Sequence, residues 1–227
     1  MEKIARGADA KNVKEDCAIL YATATDTITS SILTFVLAML HSPEVQKKAQ
    51  EELSRVTGGS RLPTFEDRAN LPYITAIMKE SLRWEAVIPL GVPHVLREDD
   101  TYDGYLIPAG TTMLANQWAM SHDASEYHDP MSFNPDRFLQ STKVREPNTI
   151  AFGWGKRICP GRFVAENSLW LYVATILTCF DIQSVDGVVP QRKYTSGLAS
   201  RPMPFQCHFI PRKGSSELIE DSVAALG

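Results

Sequence analysis

FGWGKRICPGR, residues 152–162, sets a cysteine among glycines, basic residues and a proline, just ahead of the apolar run VAENSLWLYVATILTCF. That run has the length and apolar weight of a core helix, so Cys159 stands at a helix N-terminus. Unpaired backbone N–H groups and the helix dipole favour negative charge there and stabilise a thiolate. Gly155 permits the turn that aims such N–H groups at sulfur. Gly161 and Ala165 carry no bulk, so the following helix can lie close to a flat partner, and Phe152 can cover one side of the sulfur. An isolated cysteine is most often a small buried hydrophobe. Glycines and an arginine at these offsets have no common packing explanation, and the pattern as a whole points to a ligand.

Composition excludes several classes. With 44% hydrophobic and 22% charged residues in 227, the chain reads as a folded globular protein of one or two domains. The 23 Lys and Arg against 27 Asp and Glu offer no electrostatic footprint for nucleic acid, and no such partner is expected. Cys17, Cys159, Cys179 and Cys207 lie far apart without a CxxC pair, which fits reduced thiols in a cytosol-facing protein. The opening MEKIARGADAKNVKED has no apolar core and is not a signal peptide. ILTFVLAML and LWLYVATILTCF are expected to be core helices, too short to span a bilayer, so no membrane anchor is expected in this chain.

Residues 12–41 are free of Gly and Pro and predict one helix of roughly 45 Å. Its second half is apolar nearly all round and calls for neighbours on every side. Ser42-Pro43 offers an N-cap and a first-turn proline for an amphipathic helix that Gly58-Gly59 stops. A third helix is expected over 71–85. From 93 to 115 the reading changes to strands, HVLRED, TYDGYLIP and TTMLAN, separated by Asp-Gly and Ala-Gly turns. Residues 121–157 form a long ordered loop, 162–180 a helix, and short strands near 180–184 and 205–209 close the chain. The class is mainly α with small β-sheets, α+β.

The spacing of Phe152, Gly155, Arg157, Cys159, Gly161 and Ala165 resembles, position for position, the haem-binding signature of the cytochrome P-450 family. The resemblance implies that Cys159 is the axial ligand of a haem b, iron protoporphyrin IX. Arg157 would reach a haem propionate, and His94, in VPHVLRED, matches a position from which many members donate to a propionate. In KESLRW, Glu80 and Arg83 are i and i+3 on one helix, and such a pair alone is usually solvated and worth about 0–1 kcal/mol. NPDRF adds Arg137, and in the family these three side chains form a buried structural network. ATDT aligns with the family's oxygen-binding helix motif and puts the acid at Asp26 and the hydroxyl at Thr27, as a proton relay beside a locally opened helix. Ala24 and Ile28 depart from that motif, which has Gly and a second hydroxyl there. Ala22, Thr23, Val87, Ile88, Leu90 and Leu198 fall in segments resembling the family's substrate-contacting turns. His41, His122, His128 and His208 have no ligand-like spacing and are not assigned.

The resemblance covers essentially the whole sequence but only about half of the family's domain, its carboxy-terminal, haem-binding half. Its narrower flavour, in YTSGLASRPMPFQC, is that of fungal microsomal members. It implies a haem-thiolate monooxygenase that inserts one oxygen atom from O2 into an apolar organic substrate. Electrons would come from NADPH through a cytochrome reductase, attracted by Lys143, Arg145, Lys156 and Arg162. The full-length protein would sit on the cytosolic face of the endoplasmic reticulum membrane, and this anchorless chain in the cytosol. Two alternatives stand beside it: a truncated, non-catalytic haem-binding or interaction remnant, and a reductase-independent haem-thiolate peroxygenase or isomerase. Because Ile32, Leu33, Phe35, Val36, Leu37, Met39 and Leu40 would be left partly uncovered, the chain by itself is expected to aggregate or to bind haem loosely.

Overall fold

A computed structural model describes residues 10–139 and 144–224. Helix α1 (Ala10–His41) runs unbroken for 32 residues. Its first half is exposed, whereas Phe35, Leu37, Ala38 and Met39 are fully buried and Val36 and Leu40 nearly so. The elements that cover them belong to this chain: α1 packs against the third and sixth helices and the fifth strand. The expectation that Phe35, Val36, Leu37, Met39 and Leu40 need cover from elsewhere is therefore corrected, whereas Ile32 and Leu33 stay half-buried. Periodicity shows that a helix is apolar all round but not which segments surround it. The large apolar side chains left in water are instead Val13, Ile19, Leu20 and Tyr21, in the first half. By length and composition alone, Asn12–His41 is also long and apolar enough to cross a membrane, against the expectation that no stretch is. Half of its apolar window is buried within the protein.

Helix α2 (Pro43–Thr57) begins with a proline in its first turn and ends where Gly58 turns left-handed at φ 65°. Ser42 is the N-cap residue, as expected, but its side chain makes no capping bond. A single 3-10 turn, Phe65–Asn70, is fixed by a reciprocal capping box between Thr64 and Asp67. Helix α3 (Pro72–Trp84) is capped from outside, because both oxygens of Glu52 on α2 accept from its first N–H groups, Tyr73 at 3.1 and 3.0 Å and Ile74 at 3.1 Å. A carboxylate there satisfies orphan donors and faces the positive end of the helix dipole.

Strands β1 (His94–Val95), β2 (Asp100–Tyr102), β3 (Tyr105–Ile107) and β4 (Thr112–Met113) make two antiparallel pairs, β1 with β4 and β2 with β3. The β2–β3 hairpin turns on Asp103 and Gly104, both at positive φ, as its Asp-Gly signal requires. Helix α4 (Gln117–Ser121) precedes the long loop, which contains a 3-10 turn at Pro135–Phe138 and helix α5 (Asn148–Ala151), short turns that carry no apolar period of their own. Helix α6 (Arg162–Cys179) runs through the core and leads directly into β5 (Phe180–Ser184).

Strand β5 pairs antiparallel with β6 (Cys207–Pro211), two residues later than the strand expected near 205–209. The chain then forms helix α7 (Ser215–Ala224), where no element was expected. The free side of β5 is closed by glutamines of α2. Gln46 donates to Ile182 O at 3.1 Å and accepts from Ile182 N–H at 2.8 Å, and Gln50 donates to Phe180 O at 3.1 Å. These amide side chains copy the bonds of a neighbouring strand and blunt the sheet edge.

Candidate functional site

The cysteine loop hangs between α5 and α6. Phe152 ends α5, Gly153 and Gly155 take left-handed angles of 73° and 61°, and a 3-10 turn covers Gly155–Arg157. The loop closes where Cys159 N–H donates to Phe152 O at 2.8 Å. Arg162 N–H donates to Cys159 O at 3.4 Å, so the cysteine opens the turn that leads into α6. Gly161 has an ordinary φ of −87°, and a Cβ there would meet Cys159 Sγ at 3.9 Å. That glycine leaves room beside the sulfur and needs no special backbone angle. Ala165 is half-buried one turn further on.

The four thiols differ in setting. Burial pushes the Cys179 and Cys207 thiols above their ordinary value and keeps them protonated. Cys17 lies exposed on α1, and only Cys159, half-buried, stands at a helix start behind a glycine loop. Among the described residues no group of three or more His, Cys, Asp or Glu is gathered to hold a metal ion by itself. One sulfur at a helix N-terminus fits a metal that brings its other ligands with it, as the iron of a haem does.

A buried network joins α3 to the Pro135–Phe138 turn. Arg83 donates to Glu80 through Nε at 2.7 Å and Nη2 at 2.8 Å, and Arg137 Nε reaches the same carboxylate at 3.2 Å. Both arginines then fan onto backbone: Arg83 to Ser121, Pro130 and Ser132 carbonyls, Arg137 to those of His128, Asp129 and Ser132. Residues 128–132 thus have no regular partner strand and are held by guanidinium groups.

The family model of cytochrome P450 matches residues 2–209. The chain belongs to the cytochrome P450 family. Cytochrome P450 monooxygenase 98 of Postia placenta is 47% identical over 211 residues, covering 88% of this chain and 41% of that protein. Cytochrome P450 monooxygenase claR of Ampulloclitocybe clavipes is 43% identical over 223 residues, 93% of this chain and 42% of that one. A zebra fish cytochrome P450 solved with abiraterone superposes with a TM-score of 0.80 at 31% identity, over 86% of this chain and 46% of the other. The chain spans less than half the length of the curated relatives it matches, and it corresponds to the carboxy-terminal part of the P450 fold.

On this P450 framework the other anticipated residues fall as follows. Arg157 is exposed at the end of its 3-10 turn, and His94 is exposed on β1 opposite Met113. Asp26 is exposed and Thr27 half-buried, on a stretch of α1 that stays α-helical throughout. The local opening expected beside Thr27 is absent: α1 is α-helical through this stretch, and the Thr27 hydroxyl donates back to Thr23 O at 2.8 Å. Val87 and the turn carrying Leu198 are brought together, since Ser200 N–H donates to Val87 O at 2.7 Å. Ile88 is half-buried and Leu90 and Leu198 are exposed. Ala22 and Thr23 lie on the exposed half of α1, where Thr23 also bonds back to its own helix. Of the basic residues near the loop, Lys156 is exposed and Arg145 and Arg162 half-buried, Arg162 lying over the Phe163 ring at 4.4 Å. Lys143 is outside the described residues. Sequence reading missed Arg192 and Glu85, whose partnership spans 107 positions and leaves no spacing signal.

Proposed function

We propose that this chain carries the haem-binding part of a monooxygenase that inserts one oxygen atom from O2 into an apolar organic substrate, with electrons from NADPH through a reductase. The observation that carries the reading is the Cys159 loop, closed onto Phe152 O and joined to α6 by the turn from Cys159 O to Arg162 N–H. Membership of the P450 family and the monooxygenase names of the relatives support it. When bound, the haem supplies the redox chemistry that activates oxygen.

The chain's own residues do the rest. Cys159 would hold the haem iron through its sulfur, at the turn that leads into α6. Phe152 and the small Gly161 and Ala165 shape the space around the sulfur, Gly155 turns the loop, and Arg157 and His94 meet the propionates. Glu80, Arg83 and Arg137 fix the backbone that leads into the loop and are positioning residues. The Thr27 O–H, bonded to Thr23 O at 2.8 Å in the structure, would pass a proton once turned from that bond, with exposed Asp26 one residue before it. Val87, Ile88, Leu90 and Leu198, with Ala22 and Thr23 on α1, line the substrate side. Lys156, Arg145 and Arg162 offer positive charge to an acidic reductase on the cytosolic face of the endoplasmic reticulum membrane.

Haem titration followed by reduction under carbon monoxide tests the reading. The expected result is one haem per chain and the red-shifted absorption of a thiolate ligand, lost in Cys159→Ala. An unchanged spectrum in that variant overturns the assignment, absence of haem binding favours an interaction remnant, and turnover with peroxide but not with NADPH and reductase favours a peroxygenase.

A further inference from the structure

Arg192 belongs to none of the motifs, yet it is among the most bonded side chains of the protein. Nε donates to Glu85 Oε1 at 2.7 Å, Nη2 to Trp84 O at 2.9 Å and Nη1 to Met131 O at 3.0 Å. Its guanidinium lies 4.2 Å from the centroid of the Trp84 ring, whose Nε1 donates to the same Met131 O at 2.9 Å. His122 Nε2 lies 3.4 Å from Nη2. His122 Nδ1 is 2.8 Å from Trp118 O, an oxygen that can only accept, so Nδ1 carries the proton and Nε2 accepts from Arg192.

Two structures meet at this side chain. On one side, the carbonyls of 128–132 all accept from arginine: those of His128 and Asp129 from Arg137, Pro130 and Ser132 from Arg83, and Met131 from Arg192. Arg192 completes that row from a segment far along the chain. On the other side, Tyr194, two residues on, donates from its hydroxyl to Thr34 Oγ1 of α1 at 3.3 Å. The turn that follows is closed by Thr195 N–H to Arg201 O at 2.9 Å and docked by Ser200 N–H to Val87 O at 2.7 Å. The Glu85 and Arg192 side chains keep only 12% and 19% of their surface exposed. Their pair is shielded from water, unlike the usual surface ion pair. The acceptors lie in different directions around a planar fork, an arrangement that an ammonium group does not match.

We infer that Arg192 is a positioning residue that ties the turn at 195–200 to the backbone leading into the Cys159 loop. The inference rests on the proposed function only where it assigns that turn to the substrate pocket. Through this clamp the pocket wall and the ligand loop share one anchor, so the wall keeps its distance from the cysteine loop when substrates of different size enter.

The test compares the wild type with Arg192→Gln and Arg192→Lys. Hydrogen–deuterium exchange is read over 195–200, and the affinities of imidazole and 4-phenylimidazole are read from difference spectra of the haem-loaded protein. In both variants, exchange over 195–200 is expected to rise about tenfold, as loss of one interaction of ordinary strength allows, while β5 and β6 stay protected. The carbon monoxide spectrum stays that of the wild type, imidazole binding holds, and 4-phenylimidazole, large enough to meet the wall, weakens by about tenfold. Arg192→Lys decides the question if Arg192→Gln does not fold. Exchange over 195–200 no faster than wild type, or an unmoved ratio of the two affinities, overturns the inference. If the wild type binds no haem, the functional reading falls, and the exchange measurement, which needs no haem, still decides the clamp.

Discussion

Glu80 and Arg83 are both fully buried and joined by two N–H···O bonds, from Nε at 2.7 Å and Nη2 at 2.8 Å. Arg137 Nε at 3.2 Å and Asn134 N–H at 2.8 Å bring the bonds to the same carboxylate to four. Removing one charge leaves two arginines facing a neutral group in low dielectric. Glu80→Gln is expected to cost about 3–5 kcal/mol in urea unfolding. Lys79→Ala, which removes the more exposed pair with Glu146 one residue away, is expected to cost about 0–1 kcal/mol. Equal costs would show that the buried network carries no special share of stability.

Thr27 separates stability from chemistry. Its hydroxyl bonds back only to its own helix, to Thr23 O and Ala24 O, so Thr27→Ala should change stability by less than about 0.5 kcal/mol. In the haem-loaded enzyme supplied with reductase, the variant should release more peroxide per NADPH consumed. Unaltered coupling of NADPH to product would remove Thr27 from the proton path.

The Asp67 carboxylate is held well below its ordinary value of 3.8, first by the two bonds from Arg61 at 2.6 and 2.7 Å and then by Thr64 N–H at 2.9 Å. A depressed carboxylate contributes stability that is fully present above its ordinary pKa and is lost as pH falls towards its folded value. Asp67→Asn should therefore flatten the acid loss of stability between about pH 4 and pH 2 and cost about 1 kcal/mol at neutral pH. Urea unfolding across that pH range measures both.

Met39 and Leu20 stand on one helix in opposite surroundings, Met39 fully buried and Leu20 55% exposed. Met39→Ala is expected to cost about 2–5 kcal/mol, and Leu20→Ala to stay within about 0.5 kcal/mol. Similar losses at both positions would mean that the exposed half of α1 is covered in solution.

Much of the framework was legible because local rules act through adjacent residues. Gly58 stops α2, Asp103-Gly104 turns the β2–β3 hairpin, and the apolar run after Gly161 makes α6, each by a backbone or periodicity requirement contained in a few positions. Helix α7 was not legible, because LIEDSVA carries only a weak apolar stripe, and the turns of the long loop at Pro135–Phe138 and Asn148–Ala151 have no period at all. For the candidate site, sequence spacing singled out Cys159 and its glycines, whereas the opening anticipated at Thr27 has no counterpart in the regular helix.

By itself the sequence determined which residues are able to act: a cysteine on a glycine-rich turn before a helix, and a carboxylate and an arginine one helical turn apart, because such arrangements are set by bond geometry over a few residues. Tertiary structure alone decided what surrounds them. It turned the Glu80–Arg83 pair from surface decoration into a fully buried anchor, wrapped Phe35 to Leu40 in this chain's own helices, and brought Arg192 to Glu85 across 107 positions. Burial, dielectric and long-range partners depend on the packing of distant segments, and no local spacing encodes them.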